Sequence, residues 1–410
     1  MASLFAIGVA IATFVTSNEV KAPALAYAIH FPPTGTARAN FAMMSYGARA
    51  LKDPKAVATR GEIALARAAY RSEPLSSTAL SLVIPSMPEG KARQSLLVRA
   101  GELTRRNALL NQEHIRTAAL RGDDTGFFRW LSRSVLTNYD LRAVYIAAMA
   151  DATAKEGAVA ALTPVIGPAP SWSDSYWQLV VQRPDSLINA AKLRVAVARA
   201  PWRRAAISDA DRQLSTGLTN RGEFDAAYAL YKGLGLARKG RSGHLLSSAD
   251  FERQPQLPPF DWQLAVSGTL GASVDEKNKS LLVSAIGGAR GFAARRLISL
   301  SPGNYRLGWS LSASMPIDPS TLLARVTCAE PGVKAANIQP VPLAAGKHAV
   351  SFAISDSACR WHWLSIDIVL PDDSAGVDAY FRDISLAPAG RGEANPPIAV
   401  DDGATGLDPS

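Results

Sequence analysis

Between Leu245 and Ala265 the chain changes its pattern once, and that change constrains the fold more than any other feature. Before it, alanine, leucine and arginine recur at helical spacing. After it come short β-patterned runs separated by Gly, Pro, Asn and Asp. The expected fold class is therefore multidomain, α then β. A helix over 1–20 would be followed by a helical array over 21–246 and a β-sandwich over 247–388. A tail over 389–410, with almost no large apolar residues, should be disordered. At 410 residues the chain is long enough for two or three domains with full cores.

The helical part is punctuated by capping and breaking residues. Ala37 to Leu51 places Ala39, Ala42, Met43, Tyr46 and Ala50 on one side, and Lys52-Asp53-Pro54 ends the run. Gly61 to Tyr70 repeats a small-residue stripe with Ile63, Ala66 and Ala69. Ser72-Glu73-Pro74 closes it, and Thr78 to Ile84 begins the next helix. Small residues at this spacing let helix backbones approach closely, as stacked hairpins require. The segment Asn220 to Leu234 resembles the turn and second helix of a tetratricopeptide repeat. Gly222 would sit in the turn, Phe224 and Ala227 in the interhelical seam and Tyr231 on the packing face. Leu120 to Leu131 resembles a second, weaker turn and helix. Neither segment carries the full repeat pattern, which leaves a degenerate solenoid and an unrelated bundle as the two arrangements. Arg105, Arg106, Asn107, Trp172, Tyr176, Trp177, Trp202 and Arg203 are candidates for a groove holding a peptide or an acidic glycan. The simpler reading of the tryptophans is that they plug gaps between hairpins.

Residues 2–17 carry no charge and read as one apolar helix, short for a full bilayer span. An inner-membrane anchor, with the bulk of the chain periplasmic, is the first reading. A cleaved signal peptide and a packed core helix are the others.

After Trp262, eight strand candidates follow: 263–269, 279–286, 292–300, 304–313, 321–328, 348–354, 361–370 and 378–386. Their number and turn punctuation suit an antiparallel jelly-roll sandwich. Sugar recognition needs a flat aromatic face, which a pyranose C–H face can stack on, and planar polar groups for its hydroxyls. Trp309, Trp361, Trp363, Tyr380, Arg295, Arg296, Arg360 and Asp367 are the candidates. Trp309 and one of Trp361 or Trp363 also read as plain core. Cys328 and Cys359 are the only cysteines and would form one disulfide in an oxidising compartment, or remain two buried thiols in the cytosol.

The stretch Ala249-Asp250-Phe251-Glu252, followed by Phe260-Asp261-Trp262, resembles the opening of a carbohydrate-binding-module jelly roll. In those modules a Trp plugs one end of the sandwich. The run Pro302-Gly303-Asn304-Tyr305-Arg306-Leu307 resembles the start of a central strand in the same class. This resemblance implies that Glu252 and Asp383 could bind a structural calcium. With Pro201-Trp202-Arg203 and the apolar N-terminus, the whole layout resembles membrane-anchored, tetratricopeptide-like proteins of alphaproteobacterial exopolysaccharide and capsule clusters. That resemblance implies polysaccharide synthesis or export proteins as partners.

A net charge of +9 suits an acidic partner, although the arginines are scattered as on a solvated helix face. No recognition helix or aromatic-interleaved basic motif argues for nucleic acid. No zinc-protease, nucleophile-elbow, P-loop or complete dinucleotide motif occurs. The expected role is thus a non-catalytic accessory of polysaccharide synthesis or export, whose helical array binds a protein partner and whose sandwich holds glycan. A structural envelope scaffold and a polysaccharide lyase or hydrolase are the alternatives.

Overall fold

The structure is a computed structural model that describes residues 9–10, 12–14, 16–29, 34–53, 55–237, 245–246, 251–318, 320–333, 338–355 and 359–389. Most of the expected N-terminal apolar helix, Ala249, Asp250 and nearly all of the expected tail lie outside these residues. Among the described residues, no helix is long and apolar enough to cross a membrane. The chain separates into two compact units, residues 1–189 and 190–410.

The first unit is helical. Its elements are α1 (Pro23–Ala28), α2 (Gly35–Ala50), α3 (Arg60–Ser72), α4 (Ser77–Val83), α5 (Lys91–Leu103), α6 (Ala108–Arg121), α7 (Asp124–Thr137), α8 (Arg142–Ala152), α9 (Ala158–Ile166) and α10 (Ser173–Val180). Side-chain caps start several of them. Thr59 and Glu62 form a reciprocal capping box on α3, and Ser76, Asn107 and Asp123 cap α4, α6 and α7. The alanine stripes do what their spacing allows. Ala39, Ala69 and Ala79 form one buried cluster, and Ala42 and Ala66 pack with Leu82 and Val83 in another. Leu120 to Leu131 is a helix end, a left-handed Gly122 (φ 66°) and a helix start.

The second unit contains most of α11 (Leu187–Ala198), then α12 (Asp209–Asn220), α13 (Phe224–Gly233) and the sandwich. Composition alone places a boundary near residue 246. The contacts instead put α12 and α13 in the same compact unit as the strands. Gly222, at φ 77°, makes the α12–α13 turn, and Phe224, Ala227, Leu230 and Tyr231 form the buried face of α13. A buried ion pair ties α11 to α12. Arg194 Nε donates to Asp211 Oδ1 at 2.7 Å, and its other nitrogens bond the Arg204 and Ala206 carbonyls. Asp211 also receives the Ser208 amide at the α12 cap, so both charges are fully engaged.

Among the described residues, ten strands form two antiparallel five-stranded sheets. They are β1 (Gln263–Leu264), β2 (Leu270–Asp275), β3 (Ser280–Ala285), β4 (Arg290–Ser299), β5 (Gly303–Ala313), β6 (Leu322–Cys328), β7 (Val341–Pro342), β8 (Gly346–Ile354), β9 (Trp361–Val369) and β10 (Val377–Pro388). One sheet runs β1-β4-β9-β6-β7 and the other β2-β3-β10-β5-β8. The expected strand over 263–269 is only two residues long before Ser267 and Gly268 turn the chain into β2. That strand's Gly-Ala-Ser composition hides it from β propensity. Burial alternates along β5, with Tyr305, Leu307, Trp309 and Leu311 inward. Phe251, Trp262, Leu281, Leu364 and Phe381 fill the space between the sheets.

Candidate functional site

Within the second unit, α13, the segment 253–262 and one end of the β4–β9 pair enclose a cavity of about 360 Å³. The local sequence explains each wall. Tyr228 and Tyr231 sit three apart and so share one face of α13. The Pro-rich run 255–259 cannot join a ladder and crosses the strands instead, held by the Asp261 carboxylate. One oxygen of that carboxylate accepts the Gln256 and Leu257 amides, both at 2.9 Å. The other accepts the Tyr231 hydroxyl at 3.1 Å. Ser215 on α12 donates to the Pro258 carbonyl at 2.9 Å, fastening the helical hairpin to the same segment.

The rings form one cluster. Tyr228 lies 5.5 Å from Trp361 and 5.4 Å from Phe260, and Phe260 meets Trp361 edge-on at 5.7 Å. Trp361 and Phe260 are buried, whereas Tyr228 is 39 % exposed and presents its ring to the cavity. Arg253, Arg296 and Arg360 also line the cavity. Arg360 pairs with Asp225 of α13 at 3.1 Å, and its guanidinium stands 5.6 Å from the Trp361 ring. The Glu330 carboxylate accepts the Arg360 and Trp361 amides at 2.9 and 3.1 Å, which fixes the start of β9. Cys328 and Cys359, bonded to each other, flank this turn on both sides. The site thus offers one open aromatic face, guanidinium groups and a carboxylate already committed to the fold.

The sequence candidates do not form one site. Trp361, Arg296 and Arg360 reach the cavity. Trp363, Arg295 and Asp367 lie further along the outer face of the same sheet. There the Arg295 guanidinium is 4.2 Å from the Phe292 ring and 4.4 Å from that of Trp363, and Asp367 pairs with Arg325 at 2.6 Å. Stacking on an arginine leaves Trp363 less ring to offer a sugar than its position on the strand suggests. Tyr380 belongs to β10 in the other sheet. Trp309 is core, 6 % exposed, with its indole nitrogen donating to the Ala344 carbonyl at 3.0 Å. Tyr228 and Arg253 were not singled out from the sequence. The i, i+3 spacing of Tyr228 and Tyr231 on α13 is the available signal, of which the sequence reading placed only Tyr231, on the packing face.

The helical candidates also divide. Trp172 and Tyr176 are fully buried, Tyr176 bonding the Thr153 hydroxyl at 2.8 Å, so they plug the first unit's core and line no groove. Trp177 is only partly buried beside Tyr176. Asn107 is a structural cap that also donates to the Ser77 carbonyl at 3.2 Å, while Arg105 and Arg106 are exposed on the turn before it. Trp202 and Arg203 belong to the second unit and share no compact body with that set. Glu252 pairs with Lys279 at 3.3 Å, and Asp383 sits at a bulge in β10. Among the described residues, no group of three or more His, Cys, Asp or Glu side chains could hold a metal ion.

No family model and no curated protein matches the chain. Among solved structures, it is similar to a carbohydrate-binding module, CBM4, at 19 % identity over 32 % of this chain and 88 % of that one, TM-score 0.24. It is similar to the ligand-free CBM1 module of BiXyn10A at 8 % identity over 36 % of this chain and all of that one, TM-score 0.25. It also matches the enzymatically active domain of tailspike protein 4 of bacteriophage CBA120 at 15 % identity. That match covers 31 % of this chain and 19 % of the other, TM-score 0.21. Scores this low assign no ligand to this chain, and the site is read from its own geometry.

Proposed function

We propose that the second unit binds an acidic carbohydrate at the Tyr228–Trp361 cavity and leaves it chemically unchanged. The observation that carries this reading is the convergence of an exposed tyrosine ring with Arg253, Arg296 and Arg360 in one concavity of about 360 Å³. A concavity of this size falls within the range of small-molecule binding sites. The ring stacks on a pyranose C–H face, and guanidinium groups take a carboxylate through charge-assisted, bidentate hydrogen bonds. The non-catalytic part rests on Asp261, the carboxylate of the cavity wall. Its oxygens are taken by two amides and a phenol, which leaves it poorly placed as a general acid or base.

The wider role is part of the same proposal. The helical array, stacked like tetratricopeptide hairpins, would dock proteins of polysaccharide synthesis or export. The apolar run 2–17 would tether the chain to the inner membrane with its bulk in the periplasm. The alanine seams of the first unit support the stacking, and the apolar run supports the tether.

Affinity electrophoresis tests the binding reading. The full chain should be retarded in gels containing a polyuronate such as alginate and run freely in dextran. The Tyr228→Ala and Arg253→Ala variants should lose most of the retardation. Equal mobility in all gels would leave the sandwich with a structural role.

A further inference from the structure

The first unit holds a second cavity, of about 390 Å³, built by one face each of three successive helices. Leu97, Val98 and Gly101 come from α5, His114, Thr117 and Arg121 from α6, and Arg129, Trp130 and Arg133 from α7. The spacing of three and four in each set is what a helix needs to aim consecutive turns at one point. Arg105, from the turn before α6, adds a fourth guanidinium.

The back of the cavity is rigid. The His114 imidazole stacks on the Trp130 indole, with centroids 3.7 Å apart and planes 9° from parallel, and it is packed against Gly101. A Cβ on Gly101 would stand 2.7 Å from His114 Nε2, so only glycine admits the ring there. Arg133 rests over the same indole at 4.4 Å. None of Arg105, Arg121, Arg129 and Arg133 forms an ion pair with a carboxylate among the described residues. The arginines at 49, 93, 116, 183, 194 and 212, by contrast, all do. Glu102 and Asp123 line the cavity too, but Asp123 is spent on the α7 cap, where it accepts the Gly126 amide at 2.8 Å. Burial first, then the like charges of Arg105 and Arg129, hold the Arg133 pKa below its ordinary value, a repulsion that a bound anion would relieve.

We propose that this cavity binds a small organic or inorganic oxyanion carrying about two negative charges, a phosphate monoester or a dicarboxylate. Four guanidiniums facing two carboxylates leave the site short of about that much negative charge, and the guanidinium fork matches both oxygen geometries. The ligand's body would lie against Leu97, Val98 and the edge of Trp130, while its charges meet the arginines. This site is independent of the sandwich cavity, because all its residues lie between positions 94 and 133.

Calorimetric titration of the full chain at constant ionic strength tests it, with inorganic phosphate, succinate and, as control, chloride. Saturable binding of phosphate, of succinate or of both above the chloride control is expected, and the stronger arm identifies the ligand's acid group. The Arg129→Gln/Arg133→Gln variant should bind at least tenfold more weakly. Arg121→Gln, which leaves the Trp130 stack untouched, should weaken binding too if the pair variant fails to fold. The Tyr228→Ala variant should bind as the wild type does. No saturable heat with either anion, or unchanged affinity in Arg121→Gln and the pair variant, would overturn the proposal and leave these arginines as a solvated face.

Discussion

His114 shows how burial turns an ordinary helix residue into a titrating element of the fold. Burial first, then the Arg133 charge, pull its pKa down to about 4, against weaker upward pulls from the Leu97 carbonyl and Glu113. The unfolded chain therefore takes up a proton near pH 6.5 that the folded chain refuses until about pH 4. Stability from this group is complete above 6.5 and is lost as the pH falls through that window. Denaturation midpoints followed from pH 7 to 4 should decline less steeply in His114→Gln than in the wild type. Arg194 and Asp211 make a second residue-scale case. Both are buried and hydrogen-bonded, so Asp211→Ala strands a guanidinium and should cost about 3–5 kcal/mol in urea denaturation. The double replacement of Arg194 and Asp211 by apolar residues should cost less than that single change.

At the level of elements, the disulfide and the aromatic cavity are one structure. Cys328 ends β6, Cys359 precedes β9, and Glu330 between them holds the first two amides of β9 and so the position of Trp361. Closing a loop across a sequence separation of 31 residues restricts the unfolded chain. Replacing both cysteines by serine should lower stability by about 3 kcal/mol and weaken glycan retention, since the cavity floor loses its brace. The principal strands were legible because Tyr305, Leu307 and Trp309 alternate plainly. β2 and β7 were not, because one is Gly-Ala-Ser rich and the other is two residues long. Trp361 was legible as an aromatic of interest. That one of Trp361 and Trp363 is core was legible too; which of the two was not, since the burial of Trp361 depends on Phe260 and Tyr228, which meet it only across long sequence separations.

For the whole molecule, the division at residue 189 matters more than the change of pattern at 245. Periodicity reports what each segment becomes and is silent on which segments pack together. The α12–α13 hairpin is helical by pattern, yet Ser215, Asp225, Tyr228 and Tyr231 all bond or stack with the sandwich. A fragment of residues 190–389 should therefore fold and retain glycan. A fragment of 247–388, lacking one wall of the cavity, should bind at least tenfold more weakly in the same electrophoresis. The central claim is recognition of an acidic sugar by Tyr228 and the surrounding arginines. Its most direct test is calorimetry of the full chain with a defined uronate oligosaccharide, beside the Tyr228→Ala variant and a neutral oligosaccharide of equal length. The account predicts saturable binding of the uronate by the wild type alone. Equal binding of the uronate by Tyr228→Ala, or of the neutral sugar by the wild type, would contradict it.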